Sequence, residues 1–145
     1  DILWMLIRFC FSAQNADQSS GTSGGFAKFL AKILYRDFNT IDKPSQDILI
    51  NKCQFIVRKT AHFTVYATLG ILTYMAVRIS KFKFSYLISS VICLAYAVSD
   101  EIHQYFVPGR SCELRDVFID FSGSVLGIIL IAIILIFFRN IKAKN

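Results

Sequence analysis

FSYLISSVICLAYAVSDEIHQYFVPGR, residues 84–110, decides how the rest of the chain is read. Phe84–Ser99 carries no charge, yet Asp100, Glu101, His103, Gln104 and Arg110 follow at once. An apolar run of this kind is either a buried helix or a membrane span with a polar end. Crossing the hydrocarbon core takes roughly 20 mainly apolar residues. Two other stretches approach that pattern. Thr60–Val77 is uncharged unless His62 is protonated, and Val117–Phe138 carries a single charge at Asp120. With 54% hydrophobic residues, 14 Phe and only two Pro, and a mean hydropathy of +0.51, the remaining polar sequence is too short to cover three such helices in water. The expectation is therefore an all-α membrane protein: a four-helix transmembrane bundle plus a short external amphipathic helix. The 145 residues read as one domain over 1–145, with spans at about 57–78, 84–104 and 117–138 and a partial first span at about 1–13.

That first span is short. ILWMLIRFCF, residues 2–11, is broken by Arg8 and reads as the end of a truncated span or, alternatively, as an interfacial segment. It lacks the basic start and small-residue cleavage site of a signal peptide. Residues 13–25, AQNADQSSGTSGG, read as an external loop. In GFAKFLAKILYRDF, residues 25–38, Phe26, Phe29, Leu30, Ile33 and Leu34 recur at helical spacing opposite Lys28, Lys32 and Arg36. This predicts a short helix whose apolar face lies in lipid or against the bundle. Pro44 or Ser45 is expected to start a helix running into the 57–78 span.

The net charge of +6 invites a nucleic-acid reading, but its placement opposes one. Arg78, Lys81 and Lys83 crowd one inter-span link, and Arg139, Lys142 and Lys144 follow the last span. Basic residues gather in this way on the cytoplasmic side of membrane proteins. The expected partner is a lipid bilayer, with no nucleic acid, the C-terminus cytoplasmic and the remaining polar groups on the outer side. Oligomeric state is not readable. The cysteines, Cys10, Cys53, Cys93 and Cys112, show no C-x-x-C or metal-finger spacing. Cys93, mid-span, is expected to pack as a small apolar residue.

Helical arithmetic gathers the outer polar groups. Lys59, His62 and Tyr66 share one face at steps of three and four, as do Asp100, His103 and Gln104 on the next span. Asp116, Asp120, Gly123 and Gly127 form a third stripe, and Gly123-x-x-x-Gly127 permits close helix approach. Lys59 and Arg110 suit a phosphate or carboxylate. His62 or His103 beside Asp100 or Glu101 has the makings of an acid/base pair. The acids with a histidine also resemble oxygen and nitrogen donors for a divalent cation, but no tight ligand spacing supports a metal, and no cofactor is implied. Charges at helix ends are also common as solvated interface groups, a reading open for Arg58, Glu101, Glu113 and Arg115.

RKTAHFTVYATLG (58–70), SDEIHQYFVPGRSCELRDVFIDFSGSVLG (99–127) and FSAQNADQSS (11–20) together resemble the signature blocks of the VanZ-like membrane proteins. Members of that family commonly carry Asn at the position of Asp120. The resemblance implies a small multi-pass protein of a bacterial cytoplasmic membrane. The family takes its name from a protein linked to low-level teicoplanin resistance; it is not tied to a reaction. The functional expectation is an outer-leaflet pocket that binds an anionic, lipid-linked envelope component, built from Lys59, His62, Asp100, Glu101, His103, Gln104, Arg110, Asp116 and Asp120. A membrane-embedded hydrolase or transferase with a His–carboxylate pair is the alternative, and a scaffold or a transporter are further classes.

Overall fold

A computed structural model describes residues 16–107 and 113–144 of the chain, with side chains placed for 24–107 and 113–142. Among these residues there are four helices and no strands: α1 (Ala16–Leu34), α2 (Lys43–Ile79), α3 (Ser85–Tyr105) and α4 (Leu114–Lys144). The helices α2, α3 and α4 are each long and apolar enough to cross a membrane. The chain is an all-α membrane protein. The partial span expected at 1–13 lies outside the described residues.

The start of α2 follows from its capping residues. Asp42 is the N-cap, its Oδ2 accepts the Ser45 N–H at 3.4 Å, and Pro44 sits in the first turn, where its missing N–H costs nothing. The Ser45 contacts hold the exposed Asp42 carboxyl below its ordinary pKa. At 37 residues, α2 is about 55 Å long, well beyond a hydrocarbon core of about 30 Å. The uncharged stretch 60–77 fills that core, and 43–59 continues as the same rod outside it.

On this extension lies α1. Ala27 and Ala31 are fully buried and meet Phe38 and Cys53, with Leu30, Leu49 and Ile50 packed around them. The small side chains bring the helices close, and the large ones point away: Phe26, Phe29, Ile33 and Leu34 are exposed. The apolar face predicted for this helix thus splits, with only Leu30 turned to the bundle. Residues 16–25 are helical, which corrects the external loop expected over 13–25; residues 13–15 lie outside the described set. Gly24 and Gly25 have open space around them, so packing does not demand glycine there. Each costs a helix about 1 kcal/mol relative to alanine, a preference that the anchored turn at Ala27 and Ala31 overrides.

The seam between α2 and α4 is tighter. A Cβ at Gly127 would stand 2.0 Å from the Ala67 carbonyl oxygen, one at Gly123 2.4 Å from that of Phe63, and one at Gly70 2.1 Å from that of Ser124. Backbone meets backbone at all three points. Because Phe63 meets Gly123 and Ala67 meets Gly127, the two helices run parallel. α3 runs against both, since only residues 80–84 link it to α2 and Tyr66 still reaches Asp100. Tyr66, Leu69, Tyr74, Cys93, Ala97 and Ile128 form the shared core; Cys93 is fully buried there. Arg78, Lys81, Lys83, Arg139 and Lys142 consequently gather at one end of the bundle, and the acids of α3 and α4 at the other.

Candidate functional site: a polar ladder at one end of the bundle

The glycine seam sets the site. With α4 lying parallel on α2, Asp116 and Asp120 come to rest beside Lys59 and His62, one helical turn apart. The Lys59 ammonium donates to both carboxylate oxygens of Asp116. One turn deeper, His62 Nδ1 lies 3.4 Å from Asp120 Oδ1. Deeper again, the Tyr66 hydroxyl donates to Asp100 Oδ2 at 3.0 Å, and Gln104 Nε2 donates to the same oxygen at 3.4 Å. From Lys59 to Tyr66 this ladder descends about 10 Å along the α2 axis.

Glu101 closes the end. Its Oε1 accepts the Glu113 N–H at 2.7 Å, just before the first turn of α4, where unpaired amides and the helix dipole favour an anion. Asp100, Glu101 and Asp120 are each only 1–2% exposed. The solvated-interface reading therefore does not hold for Glu101, because the start of α4 folds over it. Burial of three carboxyl groups at a span end is costly unless each has a hydrogen-bond or charge partner, and the ladder supplies one to each.

The other expected residues divide plainly. His103 is half-buried, with Nε2 enclosed. Arg110 lies outside the described residues. Arg58 is half-buried. Arg115 is exposed, bonds Glu113 Oε2 at 2.6 Å, and brings Nε to 4.0 Å from Asp116 Oδ1. Two residues outside the expected site set take on weight. Tyr66 is completely buried and is the link between α2 and Asp100; its place on the Lys59–His62 face was the available signal. Phe55 carries Lys59 Nζ at 5.2 Å and the Arg115 guanidinium at 5.0 Å from its ring centroid. A cation over an aromatic face is worth about 0.5–1 kcal/mol at an exposed site, so one ring holds both cations at the mouth.

Charge is thus layered. Lys59 and Arg115 stand at the mouth around Phe55, each paired there with a carboxylate, Asp116 and Glu113 respectively, while Asp100, Glu101 and Asp120 lie in the depth. An anion entering would compete with Asp116 and Glu113 for the two cations and be repelled by the buried acids. Among the described residues, no group of three or more His, Cys, Asp or Glu side chains is arranged to hold a metal ion.

A family model described as VanZ/LLP1 matches residues 2–137. The chain belongs to the VanZ/LLP1 family. The match takes in all three glycines of the seam and every residue of the ladder. No curated protein and no solved structure matches the chain, so the family likeness adds membership and the geometry must supply the chemistry.

Proposed function

We propose that this VanZ/LLP1 protein binds an anionic, lipid-linked component of the cell envelope at the mouth of the ladder, as a single membrane domain over 1–145. The carrying observation is the convergence of Lys59 and Arg115 on Phe55 above a layer of paired acids. Asp116 holds Lys59 in place, and Asp120 orients His62. The anion sits beside Lys59 and Arg115, with Arg110 of the α3–α4 connection as an expected third cation. The basic cluster at the far end supports a cytoplasmic C-terminus and hence a mouth on the outer side of a bacterial cytoplasmic membrane. The family's name makes teicoplanin susceptibility the phenotype to measure. Lys59→Ala and Arg115→Ala, at equal membrane abundance, are expected to remove at least half of any protection that the parent chain gives. Full protection from both variants would sink this reading.

The His62–Asp120 pair favours a second reading, a hydrolase or transferase acting on the same lipid-linked substrate, with His62 as acid/base. A carboxylate beside one ring nitrogen orients the ring and leaves the other nitrogen to exchange a proton with substrate. Incubating the purified protein with envelope lipids and seeking a converted product by mass spectrometry separates the readings. A product formed by the parent and lost in His62→Gln would replace simple binding by catalysis.

A further inference from the structure

The stripe of α2 that carries Lys59, His62 and Tyr66 does not stop at Lys59. Continued outward at the same alternation of four and three, it passes through Phe55, Lys52 and Ile48. Inward of Lys59 this face is covered by α3 and α4. Outward of it lies a groove of about 570 Å3, lined by Tyr35, Ile48, Asn51, Lys52, Phe55 and Ile56. Its size falls within the range of clefts that take a small ligand. Most of its wall is apolar and open: Ile48 is 56% exposed and Ile56 53%. Phe55 belongs to both places, forming the groove's end and the ring beneath Lys59 and Arg115. Lys52, on the groove wall, makes no ion pair among the described residues. Phe55 lies five positions before Thr60, where the uncharged stretch begins, which puts this end of the groove at about the level where acyl chains meet headgroups.

We propose that this groove seats the hydrocarbon chain of a phosphate-bearing lipid whose anionic headgroup lies over Phe55 between Lys52 and Arg115. This deepens the preceding reading and rests on it for the anion at the mouth. Three features select the occupant. The apolar wall calls for a chain. Lys52, together with Lys59 and Arg115 in their pairs with Asp116 and Glu113, calls for negative charge at the same end, and a groove that runs outward from the membrane boundary calls for an amphiphile whose chain is drawn out of the hydrocarbon core. Long-chain phosphate is the chemistry common to these demands. Lys52 serves it twice, with its methylene stem along the chain and its ammonium on the phosphate.

The test uses the full chain in neutral detergent and three probes: hexadecyl phosphate, hexadecylphosphocholine and inorganic phosphate. Hexadecyl phosphate is expected to bind saturably and at least tenfold more tightly than the zwitterionic analogue. Ile56→Trp fills the groove at an exposed position and is expected to weaken hexadecyl phosphate at least tenfold while leaving inorganic phosphate unchanged; Lys52→Ala should weaken it about fivefold. Equal affinity for hexadecyl phosphate in the parent, Ile48→Trp and Ile56→Trp, with unchanged circular dichroism, would overturn the groove. A photo-crosslinker at position 48 that captures the chain's own residues in the absence of lipid would also overturn it. The two readings fail differently. If Lys59→Ala retains inorganic phosphate affinity while Ile56→Trp still weakens hexadecyl phosphate, the groove stands and the anion site at the mouth falls. If Lys59→Ala loses inorganic phosphate and Ile56→Trp is silent, the mouth stands and the groove falls.

Discussion

Both ends of this bundle are charged, and they treat charge in opposite ways. At the end with Arg78, Lys81 and Lys83, the cations lie at the surface; Arg78 leans on Tyr74 (3.2 Å to its hydroxyl) and Lys83 on Phe84, both on their own segment. At the ladder end, Lys59 reaches Asp116, His62 lies by Asp120 and Tyr66 reaches Asp100, each across two helices. Charge beside a span is thus no sign of a site by itself. Burial together with pairing between helices is what separates the ladder from a solvated rim, and it is the glycine seam that permits both.

The contrast is broken most severely at the seam. Gly127→Leu places carbon where the Ala67 carbonyl stands, and backbone cannot yield as a side chain does. Overpacking of this kind is expected to cost about 3 kcal/mol or more, read as loss of the folded fraction during thermal unfolding in detergent. Unchanged stability would mean that α2 and α4 are not in backbone contact. Next comes the ladder itself. Asp100→Leu strands the buried Tyr66 hydroxyl and is expected to cost about 1–3 kcal/mol, whereas Asp100→Asn retains an acceptor and recovers most of that. If the two variants behave alike, the Tyr66 bond contributes nothing.

At the other end, Lys81→Gln with Lys83→Gln should move stability by no more than about 0.5 kcal/mol. The expected readout there is orientation, because Lys and Arg bias decides which side of the membrane a short loop occupies. Cysteine accessibility of that loop from each side checks it, and a large stability loss would erase the distinction between the ends. The smallest effect belongs to Asp42. Its folded pKa is lowered by the Ser45 hydroxyl and amide, so the cap's contribution is present above the ordinary value of 3.8 and fades as pH falls through the lower folded value. Amide exchange at the first turn of α2 should therefore quicken on acidification below 3.8 in the parent and show no such step in Asp42→Asn.

Much of this was legible in the chain because helical periodicity is a local property. The spans followed from uncharged length, the start of α2, to within two residues, from Pro44 or Ser45, and the inward aim of Asp120 from its spacing to Gly123 and Gly127. What escaped was tertiary. Nothing local shows that Glu101, off the Asp100–Gln104 stripe, is sealed by the Glu113 amide. Nothing local decides that Lys59 takes Asp116 while His62 takes Asp120, since this depends on the register of two parallel helices with α3 between them in sequence. The helical state of residues 16–25 was hidden by glycines and serines, whose weak preference yields to contacts further along. The groove was invisible for a similar reason: its wall joins Tyr35 to a face of α2 thirteen or more residues away.

The three spans are unequal, and the inequality has a use. α2 and α4 overreach the bilayer, and the glycines bind them so closely that neither can tilt without the other. α3, with 21 residues, is about 31 Å long, close to the hydrocarbon thickness itself. A bilayer that thins or thickens by a few ångströms must therefore tip the bonded pair as one body or deform around it. Either response raises or lowers Phe55 and its two cations relative to the headgroups. Membrane thickness thereby becomes a quantity to which the mouth of the ladder is mechanically coupled.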